Sequence, residues 1–297
     1  MGRDSNITGR EVQILLLLVV LTGLALTAGE GELNAVAAEI NISNTGPVQG
    51  EVIDVKTPSG LAGGYAVLAG DSYPLRLDGD EGRAMIPVSY WLEPGEYTLS
   101  VFSEEGSSLS KWSIDVQAGD FPTSYIDVDE EMARQLEPED PEKQARRERE
   151  RELVHKARST SSESRFWEGD FQWPLEGRIT TEFGATRYHN DELANRHNGI
   201  DIAAPAGKDI EAAAAGQVRL ARDLLSTGRT VIIDHGWDVF SSYLHMVEIE
   251  VEQGDSVNKG DTIGYVGESG FATGPHLHWS VSIGRTFVDP REFMGED

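Results

Sequence analysis

Glycine-centred turns interrupt the second half of this chain so often that long helices have little room in it. They fall at Glu176-Gly177, Ala206-Gly207, Gln253-Gly-Asp255, Lys259-Gly-Asp261 and Ser269-Gly270, with short apolar stretches between. Strands and turns this closely spaced predict an antiparallel β fold from about Phe166 onward. The region from Ala38 to about Val128 has a similar texture, with short strands such as Glu51-Val-Ile-Asp-Val-Lys56 and Ala84-Met-Ile-Pro-Val-Ser-Tyr90. Tyr97, Leu99 and Val101 share one face of an alternating segment, as do Trp112, Ile114 and Val116, which marks them as core. The pattern predicts a small immunoglobulin-like β-sandwich, and no catalytic constellation falls in it. The fold class is therefore mostly β.

The chain has 297 residues, 39% of them hydrophobic, enough to build a core in each of two domains. Four segments follow from the changes in composition: 1–37, a signal peptide or N-terminal anchor; 38–128, the sandwich; 129–164, a charged helical linker; and 165–297, a second β-rich domain. The apolar run from Ile14 to Ala28 lies after Arg3 and Arg10 and before the small-x-small pattern Ala35-Val-Ala37, which predicts export to the periplasm or cell envelope, by cleavage or by anchoring. Asp140-Pro141 is a helix start. The helix it opens, rich in Arg and Glu up to Arg158, has few apolar positions, so it reads as a solvated linker; a helix laid over an active-site groove is the alternative. His155 on it reads as a surface residue. A formal charge of −26 excludes a basic patch for nucleic acid, and the absence of cysteine excludes disulfides and thiolate metal sites.

What chemistry the chain carries is concentrated in His197-Asn-Gly-Ile-Asp201 and His276-Leu-His278. Alternate residues of an extended segment share a face, so His276 and His278 project together, as do His197 and Asp201 across Gly199. Two imidazoles and one carboxylate fill three positions of a tetrahedral zinc site and leave the fourth for water, the catalytic rather than the closed structural arrangement.

The segment Trp173 to Pro290 resembles the lysostaphin-type, or LytM-like, zinc metallopeptidases, family 23 of the metallopeptidases. The resemblance is carried by Ile179-Thr-Thr-Glu-Phe-Gly184, His197-Asn-Gly-Ile-Asp-Ile-Ala203, Val231-Ile-Ile-Asp-His-Gly236, Tyr243-Leu-His245 and the run from Gly267 to His278. It implies a duplicated hybrid-motif β fold and one Zn2+ per chain, held by His197, Asp201 and His278. It also implies that His245 and His276 flank the metal-bound water as catalytic residues. The implied activity is endopeptidase cleavage of peptidoglycan stem or cross-bridge peptides, with the N-terminal domain free to engage cell-envelope protein partners. Some relatives have lost ligands and act as non-catalytic regulators of other wall hydrolases; here every ligand type is present. His235 reads as a structural turn histidine. The loop after Gly184 offers Arg187 and Tyr188 as substrate contacts, and the Gly267–Pro275 segment, including Gly274, is a candidate groove wall. The turn after His235, Gly236-Trp-Asp, departs from the family, where a second glycine is common, and puts one groove edge in doubt.

Overall fold

The computed structural model describes residues 39–126, 140–189 and 192–295. The signal or anchor segment therefore lies outside the described residues. Eight strands come first: β1 (Asn41–Ile42), β2 (Val52–Pro58), β3 (Tyr65–Leu68), β4 (Asp71–Pro74), β5 (Arg76–Asp78), β6 (Glu81–Pro87), β7 (Gly95–Phe102) and β8 (Ser108–Val116). They form two antiparallel sheets, β1-β2-β6-β5 and β4-β3-β7-β8. Alternating residues of both sheets, among them Ile53, Val55, Ile86, Leu99, Val101, Ile114 and Val116, meet in one core, which makes this half a β-sandwich. Tyr97 and Trp112, partly buried, pack against that core.

Two elements connect the halves: β9 (Thr123–Ile126) and helix α1 (Pro141–Ala157). Asp140 caps α1, accepting the Glu142 N–H at 2.8 Å, and Pro141 supplies the first turn. The helix is not a solvated linker throughout. Leu153, Val154 and Ala157 form a narrow apolar stripe against Leu220, Leu224, Ile232 and Phe240. It thus covers one face of the second domain's sheet rather than the groove described below. His155 is exposed.

Thirteen strands make up the second half: β10 (Arg178–Thr181), β11 (Thr186–His189), β12 (Glu192–Arg196), β13 (Ile200–Ala203), β14 (Asp209–Glu211), β15 (Gly216–Leu224), β16 (Gly228–Asp234), β17 (Val239–Met246), β18 (Glu248–Ile249), β19 (Ser256–Val257), β20 (Thr262–Tyr265), β21 (His276–Ile283) and β22 (Thr286–Val288). The main sheet runs β10-β13-β21-β17-β16-β15-β19, with β22 also on β21. Its centre is buried on both faces, so β16, β17 and β21 read as nearly continuous buried runs rather than alternating ones. One face packs on Trp279, Tyr243, Val231 and Ile233 within the main core, and α1 lies on the other.

The halves are joined by specific contacts. Strand β9 pairs in parallel with β11, the one parallel pairing among these named strands. Arg196 stacks over Trp91 at 4.8 Å and donates to the Tyr90 carbonyl. Gly184, at φ 73°, admits Phe121 so closely that a Cβ there would lie 2.1 Å from its ring. The Gly236-Trp-Asp turn belongs to this junction and not to a groove edge. Trp237 and Asp238 both adopt positive φ, 56° and 62°, the hairpin geometry that usually takes glycine. They are held there by the Trp237 N–H to Ser162, its indole N–H to Glu163, and an Arg76 to Asp238 bond of 2.6 Å from the sandwich.

His235 is fully buried below that turn. Its Nδ1–H donates to the Ala215 carbonyl at 2.8 Å, so Nε2 accepts from the Ser241 hydroxyl at 2.7 Å. Burial pushes its pKa from 6.5 down to about 4. On acidification the unfolded chain takes up this proton first, so stability falls between about pH 6.5 and 4, by roughly 3 kcal/mol from this residue. Urea unfolding of the protein at pH 7 and pH 4.5 is expected to show that slope. His235→Gln, less stable at pH 7, is expected to lack this component; equal slopes in the two proteins would contradict the assignment.

Candidate metal centre and its groove

The β13–β21 register places Asp201 directly opposite His278, and Ala203 opposite His276. On its other edge β21 pairs with β17, Leu244 facing His278, so the strand carrying both histidines is fixed from both sides. Gly199 lets the chain entering β13 press against β21: a Cβ there would lie 2.3 Å from the Trp279 carbonyl oxygen. His197 precedes β13 and is tied to the β10–β11 connection, its N–H donating to Ala185 and its carbonyl accepting from Gly184.

The Nδ1–H of His197 donates to the Glu182 carbonyl at 2.9 Å, which leaves Nε2 with a lone pair. That Nε2 lies 3.0 Å from Asp201 Oδ1 and 2.9 Å from His278 Nδ1; the third side, His278 Nδ1 to Asp201 Oδ1, is 2.9 Å. A triangle of two imidazole nitrogens and a carboxylate oxygen cannot be satisfied by hydrogen bonds alone, because the His197 nitrogen has no proton to give. A cation at bond lengths of about 2 Å reaches all three atoms from just off their plane. Burial pushes His278 down to about 4, which keeps it neutral as a ligand must be. Burial alone would raise the Asp201 carboxyl, but the adjoining His197 and His278 imidazoles outweigh it and hold the group ionised, well below the usual carboxylate range.

Two more imidazoles stand beside the triangle. The ring centroids of His245 and His276 are 4.8 Å apart, and His245 lies 6.3 Å from His278. His276 Nε2 is 3.8 Å from Asp201 Oδ1, and its Nδ1–H donates to the Gly274 carbonyl at 2.8 Å. His245 occupies a bulge: three steps of β17, Tyr243 to Met246, span what two steps of β16, Arg229 to Val231, cover. Its φ is 65°, a left-handed conformation that costs of order 1 kcal/mol in a non-glycine residue. Its N–H to Thr227 and its Nδ1–H to the Ser269 carbonyl, 2.8 Å, hold it there, and burial lowers its pKa.

All five residues open into a groove of about 590 Å³. Arg187 lines it, with Asn198, Phe271 and Thr273. Tyr188 does not: neighbouring residues of a strand point to opposite faces, and Tyr188 stacks instead on Tyr125 at 5.1 Å, in an adjoining cleft. Gly274 contributes its carbonyl to His276 rather than a wall to the groove. Thr123 and Ser124 of β9 line the groove as well. Their position depends on pairing with a strand some sixty residues later, and no local sequence signal points to them.

Peptidase family M23 matches residues 195–290, which include all five residues. A crystal structure assigned to peptidase M23 from Pseudomonas aeruginosa is 30% identical, with a TM-score of 0.64, covering 84% of this chain and 95% of that one. The chain belongs to peptidase family M23. That likeness extends well beyond the family-matched residues of this M23 protein into its sandwich. Curated relatives include the peptidoglycan DD-endopeptidase ShyA of Vibrio cholerae, 35% identical over 115 residues, 38% of this chain and 26% of that protein. The DD-carboxypeptidase/endopeptidase Mpg of Neisseria meningitidis is 35% identical over 113 residues, again 38% and 26%. The match thus spans about a quarter of the length of these two relatives.

Two outcomes test the centre. Substituting His197, Asp201 or His278 by Ala is expected to weaken metal binding by about tenfold or more, read by equilibrium dialysis with metal analysis; full metal content in His278→Ala would remove it from the ligand set. Gly199→Ala is expected to lose both metal and thermal stability, since the Cβ can be accommodated only by parting β13 from β21.

Proposed function

We propose that this protein is a zinc-dependent endopeptidase that hydrolyses peptide bonds in the stem or cross-bridge peptides of peptidoglycan. In this reading His197, Asp201 and His278 hold one Zn2+, and His245 and His276 are the catalytic residues. The observation that carries it is the complete ligand triangle with two further imidazoles beside it in an open groove. The named activities of ShyA and Mpg support the substrate class.

Zinc bound in the triangle supplies a Lewis acid that polarises the scissile carbonyl and acidifies water. The chain's own residues handle the protons. His245 has Nδ1–H committed to Ser269, so Nε2 is the free lone pair, and burial keeps it unprotonated near neutral pH, the state a general base needs. It takes the proton from the attacking water and returns it to the leaving amine. His276, with Nδ1–H committed to Gly274, donates from Nε2 to the developing oxyanion when protonated. Arg187 and the Phe271–Thr273 segment orient the peptide.

The role is wall remodelling after export. No helix among the described residues is long and apolar enough to cross a membrane. The immunoglobulin-like reading of the sandwich is supported by its strand order, 1-2-6-5 and 4-3-7-8, which has the four-strand and three-strand sheets of that fold with one added edge strand. Such a domain offers a surface for envelope partners.

The full chain, incubated with isolated peptidoglycan and zinc, is expected to release fragments with new amine ends, detected by mass spectrometry and absent with chelator or in His278→Ala. His245→Ala and His276→Ala are expected to keep zinc and lose about a hundredfold or more in turnover. No new amine ends on walls from several sources would replace this reading with that of a non-catalytic regulator.

A further inference from the structure

A second cavity, of about 470 Å³, lies where α1 meets the turn between β15 and β16, away from the metal residues. Four arginines line it: Arg147, Arg151 and Arg158 from α1 and its C-terminal cap, and Arg285 from the β21–β22 turn. In a chain of formal charge −26, four arginines lining one space are opposite to the surface trend. Their single carboxylate neighbour in the lining is Glu150, and both of its oxygens are already engaged, Oε1 by Arg146 at 2.7 Å and Oε2 by the Leu225 N–H at 2.8 Å.

Three of the arginines lack anionic partners. Arg151 reaches only Glu148, in a solvent-exposed pair that contributes little. Among the described residues no carboxylate pairs with Arg147, Arg158 or Arg285. The Nε atoms of Arg147 and Arg158 are buried with no hydrogen-bond acceptor. Arg158 donates one bond, Nη2 to the Ser242 hydroxyl at 2.6 Å, and lies 4.8 Å over the Phe287 ring. Burial with no compensating anion pushes its guanidinium down to about 10. A buried donor without an acceptor costs about 1–3 kcal/mol, more when charged, so these guanidinium groups are held at a cost that an anion in the adjoining cavity would offset.

We propose that this cavity binds an organic phosphate, its phosphoryl oxygens among the four guanidinium groups and its organic body against Val154 and Leu224. Planar guanidinium forks match phosphate oxygens in pairs, and three or more of them around one centre suit a group of higher charge than a single carboxylate. The cavity has the size of a small-molecule site and both polar and apolar walls, which is more than a bare ion needs. The same chemistry occurs in soluble phosphate esters and in polyol-phosphate wall polymers. The Thr227 carbonyl that accepts from His245 belongs to the turn lining the cavity, so a single loop touches both sites.

The test is isothermal titration of the full chain with glycerol 3-phosphate and, separately, with poly(glycerol phosphate), at matched ionic strength. Binding of the monoester assigns a soluble ligand, and binding of the polymer alone assigns a wall polymer; either supports the site. Arg147→Gln and Arg285→Gln, checked for unchanged melting, are each expected to weaken the bound probe by about tenfold, Arg285→Lys by less, and His278→Ala not at all. The proposal is overturned if neither probe binds, or if affinity survives in both glutamine variants. Loss in His278→Ala alone would overturn it too, since the phosphate would then sit on the metal residues.

Discussion

Asp201 stands opposite His278 across one strand pair, and a carboxylate that is mostly removed from water in that position is tolerable only beside compensating positive charge. Much of the second half can be understood as what holds this pair in register. A slip of one residue between β13 and β21 would turn Asp201 to the opposite face and scatter the triangle. The register is protected by β17 on the far edge of β21, by the absence of a side chain at Gly199, and by His197's backbone bonds to the β10–β11 connection. The bulge in β17 then adds what regular strands cannot, an imidazole turned out of the alternation and toward its neighbours.

The two halves are bound by contacts at several separated places, and these explain local choices that look unfavourable in isolation. Trp237 and Asp238 accept left-handed backbone because the turn they form is gripped by the 161–165 segment and by Arg76. Ser161 and Ser162 also bond the Asp234 carboxylate that ends β16. The sandwich is thus seated on the hairpin that precedes the His245 strand.

The strands and the five candidate site residues were legible in the sequence because each is a local pattern: alternation in β7 and β8, and His and Asp at spacings that an extended chain brings to one face. What was hidden depends on tertiary pairing. Helix α1 carries just three apolar residues in contact with the sheet, too few to announce a docked face by periodicity, yet the sheet behind it needs them to cover Phe240 and Ile232. Tyr188 and Arg187 are adjacent in a loop-like segment whose strand character comes from partners on both sides, so which of them faces the groove could not be read in advance. The contribution of Thr123 and Ser124 arises from β9 pairing with β11, a relation with no trace in either segment alone.

That pairing has a practical side. With β9 in place, the β11–β12 hairpin has its outer backbone groups occupied, parallel and in register from Thr186 to His189. A fragment trimmed to begin after the sandwich would keep every candidate metal ligand but bare this row of donors and acceptors at the lip of the groove. Such a strand is an adhesive edge, able to recruit another chain or an extended peptide in place of the missing segment. Specificity measured on the isolated fragment would then describe a wider and stickier cleft than the whole protein presents.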